Sequence, residues 1–261
     1  MSNPKIIAIA NQKGGVGKTT TAINIATTLV AIGRKVLLID LDGQGNASTG
    51  LGIHPNMREA TTYDVLASEY PIDDAIIDIE GVAGLSLLPS HVDLSSVDVE
   101  LKDDSKRVLK LKNAIAEMTT DIDYIFIDCP PSLNLLTINA FAAADAVLVP
   151  LQCEFFALEG LSQLIGTIKE IRENLNQKLV IQGVVLTMYD ARNNLTTQVE
   201  ADVRDNLGDL VYETVIPRNV RLSEAPSFGL PALLYDPKSA GSLAYQKVAI
   251  EFLNRENDKI Q

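Results

Sequence analysis

Lys13-Gly14-Gly15-Val16-Gly17-Lys18-Thr19-Thr20 is a glycine-rich turn with two lysines, set between an apolar run at Lys5–Ala10 and a helical pattern from Lys18 to Ala31. A strand that passes through glycines into a helix presents several backbone N–H groups to one point, and the helix dipole adds partial positive charge there. Gly14, Gly15 and Gly17 permit conformations and a close approach that a Cβ would block. Lys18 is placed to neutralise the outer phosphates of a nucleotide, Thr19 to offer its hydroxyl to Mg²⁺ and Thr20 to reach the α-phosphate. Lys13 to Thr20 therefore read as a phosphate-binding loop. Lys13 is a second lysine, one that such a loop does not need within its own subunit.

Outward from the loop, short apolar runs alternate with helical patterns. Strands are expected at Lys5–Ala10, Val36–Ile39, Leu85–Leu88, Tyr124–Ile127, Ala146–Val149 and Val184–Met188, with another at Val211–Ile216. Helices are expected near Ser105–Met118, Leu133–Ala143, Leu158–Asn174, Thr196–Leu207 and Gly241–Leu253, in addition to Lys18–Ala31, which ends at Gly33. Such alternation implies one α/β domain over residues 1–261: a single doubly wound, mostly parallel sheet with helices on both faces. Ligands then bind at the carboxyl ends of the strands. The acidic stretch Asp93–Asp104 reads as a solvated loop and helix start.

Bulk properties narrow the function classes. No apolar run approaches the ~20 residues that span a bilayer, and the N-terminus lacks a signal-peptide layout, so the default is a cytoplasmic protein. A net charge of −12 argues against a globally basic nucleic-acid binder, leaving only a local patch for DNA. Cys129 and Cys153 are the only cysteines and do not form a CxxC pair; they read as reduced packing thiols, the other reading being a metal or cluster held across a dimer.

The standard phosphate loop, GxxxxGK[ST], has glycine where Gln12 stands. The form KGGxGKT resembles instead the deviant-phosphate-loop ATPases of the ParA/MinD group. Two further segments carry the resemblance. Asp40-Leu41-Asp42-Gly43-Gln44-Gly45-Asn46-Ala47 resembles the group's first switch, DxDPQGN, with Gly43 in place of the usual proline. Phe126-Ile127-Asp128-Cys129-Pro130-Pro131-Ser132 resembles its Walker-B and second-switch segment. Cys153–Leu161 and Ile216–Gly229 are similar to segments of the ParA/Soj partition branch, and the likeness extends over essentially the whole chain.

The resemblance implies a phosphate-loop NTPase fold that binds ATP and Mg²⁺. Lys13 would reach across a homodimer to the partner's nucleotide, Asp42 would position the attacking water near the metal, and Asp128 would hold a Mg²⁺-bound water. Pro217 and Arg218 would border the adenine. Arg192 and Arg221 match positions that contact DNA, and a ParB-like partner would stimulate hydrolysis. Strand one begins by residue 5, so no N-terminal helix-turn-helix extension and no operator binding are expected; the ATP dimer would bind DNA non-specifically and associate with the nucleoid. The alternative is a MinD-like membrane-associated positioning ATPase. That role needs an amphipathic C-terminal helix. Here Tyr245, Val248, Phe252 and Leu253 read as packing on the sheet, and the tail 254–261 mixes Arg255 and Lys259 with Glu256 and Asp258.

Overall fold

In the computed structural model, residues 3–258 are described. Seven strands form one sheet: β1 (Lys5–Ile9), β2 (Val36–Asp40), β3 (Ile77–Asp78), β4 (Leu85–Leu88), β5 (Tyr124–Asp128), β6 (Ala146–Gln152) and β7 (Val180–Thr187). Their order is β3-β4-β2-β5-β1-β6-β7. Every pairing is parallel except the short β3 edge, which runs antiparallel to β4.

Both faces of this sheet are covered, which is why its central strands are apolar throughout. Side chains alternate between two cores. Ile7, Ile9, Leu38 and Phe126 face one, and Ala8, Leu37, Ile39 and Ile127 face the other. The first core is closed by α1 (Lys18–Ala31), the short α2 (Asn46–Gly50) and the last helix. Three short helices, α3 (Thr62–Ala67), α4 (Ile72–Ala75) and α5 (Val97–Glu100), and then α6 (Lys110–Glu117), α7 (Leu135–Ala143), α8 (Ala157–Asn174) and α9 (Asn194–Leu207), pack on the second. Beyond them come α10 (Val220–Glu224), α11 (Ala232–Tyr235) and α12 (Ala240–Asp258). On α12, Tyr245, Val248 and Phe252 are buried; the Tyr245 hydroxyl bonds Thr21 Oγ1 at 3.0 Å, and the Phe252 ring lies 5.8 Å from that of Phe126. The expected packing of this helix on the sheet is what the structure has. Among the described residues no helix is long and apolar enough to cross a membrane. Residues 259–261, including Lys259 of the tail, lie outside the described residues.

Of the departures from expectation, three bear on the edges of the sheet and the acidic stretch. Val211–Ile216 does not extend the sheet as a strand. It meets β7 at one bridge, Val184–Val211, and through Tyr212 N to Val184 O at 2.9 Å and Ile216 N to Leu186 O at 2.8 Å, while between these the N–H groups of Glu213 and Thr214 go to the Glu251 carboxylate at 2.8 and 3.1 Å. The helix expected from Ser105 begins at Lys110, after a 3₁₀ turn at Arg107–Leu109. The acidic stretch is more ordered than a loop: a 3₁₀ turn at Val92–Ser96 leads into α5.

Candidate nucleotide site

The carboxyl ends of β1, β2 and β5 and the start of α1 surround a cleft of about 610 Å³, whose lining includes Gly15, Lys18, Thr19, Thr20, Asp42 and Pro131. The loop that forms its floor is held from three sides. Asn11 Nδ2 donates to Pro150 O at 2.8 Å and Asn11 Oδ1 accepts from Lys13 N at 3.0 Å. Thr187 Oγ1, at the end of β7, donates to Val16 O at 2.8 Å. Gly17 takes φ 88°, so the loop enters α1 through a conformation a side chain would strain. No side chain caps the first turn of α1, and its N–H groups remain directed at the cleft.

The two lysines diverge. Lys18 is buried, and its Nζ donates to Lys13 O at 3.1 Å. Burial lowers the Lys18 pKa, while Asp128, Cys129 and Asp42 act to hold its charge. The Lys13 side chain instead leaves the loop, half exposed, and pairs with Glu154 just beyond β6. Phe155 and Phe156 beside it are 76% and 66% exposed and pack edge to face. Lys13 thus has a partner within its own subunit, which sequence reasoning did not foresee.

Asp128 ends β5 beside Lys18 and Thr19, buried and not itself among the residues that line the cleft. Its carboxylate is buried and neither oxygen has a hydrogen-bond partner of good geometry, although Thr19 lies near enough to favour the charged form. Burial, and next the neighbouring Asp40, raise its pKa well above the usual carboxylate range. A buried, unpartnered carboxylate beside a threonine hydroxyl is a fit for a divalent cation. Asp40 is equally buried but is satisfied: it accepts from Ser48 N and Oγ at 2.8 and 2.6 Å and from Asp42 N at 3.3 Å. Burial still pushes its carboxyl up to about 6. Asp42 is half-buried at the rim, its Oδ1 accepting from Gln44 N at 3.0 Å. At Gly43 a Cβ would come within 2.9 Å of Ser95 Oγ, so the 3₁₀ turn after β4 packs against the switch where the resembling proteins carry proline.

Pro217 and Arg218 border a smaller side cavity that shares Gly17, Thr20 and Met188 with the cleft. Met188 takes φ 50°, rare for a residue with a side chain. Leu222 and Pro226 line both spaces, and Gly229 of the following turn meets Gly52 backbone to backbone: a Cβ on Gly229 would sit 2.8 Å from Gly52 Cα. Met188 had no sequence signal beyond ending an apolar strand, and Leu222 and Pro226 were visible only within a family-like segment.

The two arginines expected to meet DNA are exposed and ion-paired. Arg192 grips Asp190 through Nε and Nη2 at 2.9 and 2.8 Å, and Arg192, with Arg218 nearby, draws the Asp190 carboxyl down to about 2. Arg221 pairs with Glu224 at 2.8 Å and Asp236 at 3.4 Å. Cys129 and Cys153 are buried free thiols; burial pushes Cys129 up and Cys153 up to about 11. Among the described residues no group of three or more His, Cys, Asp or Glu is placed to hold a metal.

Comparison with known proteins finds near full-length relatives. Residues 4–181 match the family model described as an AAA domain. The chain is 59% identical to the chromosome partitioning protein ParA of Caulobacter vibrioides, across 99% of this chain and 97% of that one. It is 51% identical to the sporulation initiation inhibitor protein Soj of Bacillus subtilis, across 95% and 97%. The solved structure of a cobyrinic acid a,c-diamide synthase from Mycobacterium smegmatis, with bound ADP and magnesium, superposes with a TM-score of 0.84 at 36% identity, covering 97% of this chain and 96% of that one. With a phosphate-loop NTPase fold and near full-length similarity to a chromosome partitioning ParA and to a Soj protein, the chain belongs to the ParA/Soj family of partition ATPases.

Proposed function

We propose that this chain works as a single-domain, cytoplasmic DNA-segregation switch that binds ATP with Mg²⁺, closes as a homodimer on non-specific nucleoid DNA, and hydrolyses ATP when a ParB-like partner stimulates it. The observation that carries this reading is the divergence of the two lysines: Lys18 lines its own cleft, and Lys13 turns away from it, half exposed, to Glu154. A cation held outside its own cleft can serve a neighbour's phosphates, as an arginine finger does.

Within the cleft, the N–H groups from Gly14 to Thr20 hold phosphate oxygens, with Lys18 neutralising the outer phosphates and Thr20 reaching the α-phosphate. Thr19 and Asp128 hold Mg²⁺, with Asp42 beside them, and the ion supplies charge neutralisation at the phosphates. Asp42 orients the attacking water. Pro217 and Arg218 border the base. Arg192 and Arg221 meet DNA phosphates, and two copies on one dimer surface double contacts that are weak in a monomer of this acidity.

Size-exclusion chromatography of Asp42→Ala with saturating ATP tests the reading. A dimer that elutes as a monomer when ATP is withdrawn, and binds DNA in a salt-sensitive way only with ATP, is the expected result. A monomer under saturating ATP refutes it, and binding to anionic lipid vesicles instead of DNA would favour a membrane-positioning role.

A further inference from the structure

We infer that Ser90 and Arg58 are positioning residues that fix the Asp42 loop to the end of β4, and that hydrolysis depends on this attachment. The inference rests on the proposed role of Asp42. Ser90 lies two residues beyond β4 and is fully buried. Its three polar groups are all used, each on a different residue. Its N–H donates to Ser48 Oγ at 3.0 Å, its hydroxyl donates to Asp42 O at 2.5 Å, and its carbonyl accepts from Arg58 Nη1 at 2.8 Å.

Arg58 completes the attachment from the other side. Nη2 donates to Thr49 Oγ1 and Ile53 O, both at 2.8 Å, and reaches Gly45 O at 3.4 Å; Nε donates to Ile53 O at 3.1 Å. Gly45 takes φ 62°, and a Cβ there would fall on the guanidinium. Among the described residues Arg58 has no ion-pair partner; its donors are spent on neutral acceptors from the switch loop, from α2 and the turn after it, and from Ser90. A planar fork with five donors can serve these four acceptors at once, whereas an ammonium has three donors on a single atom. The route from the sheet to the Asp42 carboxylate is therefore short: β4, Ser90, the Asp42 main chain, and a side chain oriented by Gln44 N. Ser48 joins the same cluster and also donates to the buried Asp40, so the loop is anchored to β2 as well. Small displacements of a water-orienting group have large kinetic effects.

The test uses the full chain with Ser90→Ala, Arg58→Met and Arg58→Lys, measuring kcat, KM, melting temperature and the mobility of a thiol label on the exposed loop position in a Gln44→Cys background. The native thiols are buried, so the label reports the loop alone. Ser90→Ala and Arg58→Met should each lower kcat about 10-fold, with KM within about 3-fold, and loosen the label. Arg58→Lys should rescue neither. Adding Ser90→Ala to Asp42→Ala should lower the residual rate no further. An unchanged kcat with an unchanged label overturns the inference, as does an equal loss in the Asp42→Ala background. A fall in melting temperature with kcat intact makes the attachment structural only and also overturns it. If Arg58→Met does not fold, Ser90→Ala decides. Wild-type hydrolysis by Asp42→Ala alone would defeat the proposed function; an impaired Asp42→Ala beside an unimpaired Ser90→Ala would defeat only the inference.

Discussion

Replacing Lys13 by glutamine should separate holding the nucleotide from turning it over. The phosphate cradle survives the change, because the Lys13 amide bonds Asn11 and its carbonyl accepts from Lys18, both through the main chain. What disappears locally is the pair with Glu154, whose partners are 48% and 41% exposed. A pair so exposed contributes about 0.2–1 kcal/mol. The melting temperature should therefore fall by no more than about 4 °C in a chain of this size. ATP affinity should stay within about 5-fold, the equivalent of 1 kcal/mol. A cation supplied to the transferring phosphoryl by a second subunit is worth about 10³–10⁵ in kcat. Stimulated hydrolysis should thus fall at least about 10³-fold, far beyond anything the local pair could account for. Phosphate release with DNA and partner, fluorescent-ATP binding and thermal melting measure the three quantities on one preparation. Stimulated hydrolysis within about 10-fold of wild type would refute the argument, since a trans cation cannot be worth so little. A parallel loss of ATP affinity would refute it differently, by making Lys13 part of the cradle.

Asp128→Asn should weaken Mg²⁺-dependent ATP binding at least about 10-fold without lowering the melting temperature of the nucleotide-free protein, because the carboxylate has no hydrogen-bond partner to lose. Calorimetry that finds a destabilised apo protein would contradict this. In Gly183→Ala the new Cβ would lie 2.6 Å from the Tyr212 ring and 2.8 Å from Leu210 O, so thermal melting should register a loss of about 1–3 kcal/mol. An unchanged melting curve would mean that this approach is looser than described. Arg192→Ala and Arg221→Ala should each reduce the slope of log affinity for DNA against log salt by about 1 per subunit. A slope unchanged in the double variant would place the DNA surface elsewhere.

Much of this was legible in the chain because the strong signals are local. The bounds of α1 follow from Gly17 at one end and Gly33 at the other, and both glycines hold positive φ. The four apolar runs that became β1, β2, β4 and β5 are buried on both faces, so their patterns needed no partner to be read. Val211–Ile216 misled for the opposite reason. Its composition suits a strand, but the Glu251 carboxylate, nearly forty residues downstream, takes the N–H groups of Glu213 and Thr214 and leaves only separate bonds from Tyr212 and Ile216 to β7. The site divides similarly. Lys18, Thr19 and Asp128 are named by motif. Ser90 and Arg58 carry no motif, and their value lies in bonds to Asp42, Gly45 and Thr49 that only the folded chain brings within reach. The pairing of Lys13 with Glu154 spans 141 positions and was equally hidden.

The contact between Gly52 and Gly229 has a mechanical consequence. Gly52 lies two residues beyond α2, and Gly229 closes the turn whose Pro226 lines the nucleotide cleft. Where side chains meet, a shift of half an ångström is absorbed by a change of rotamer. Here the main chains touch and there is nothing to absorb it. A displacement of either segment would therefore press on the other, which links α2 to the turn that follows α10, the helix bearing Arg221.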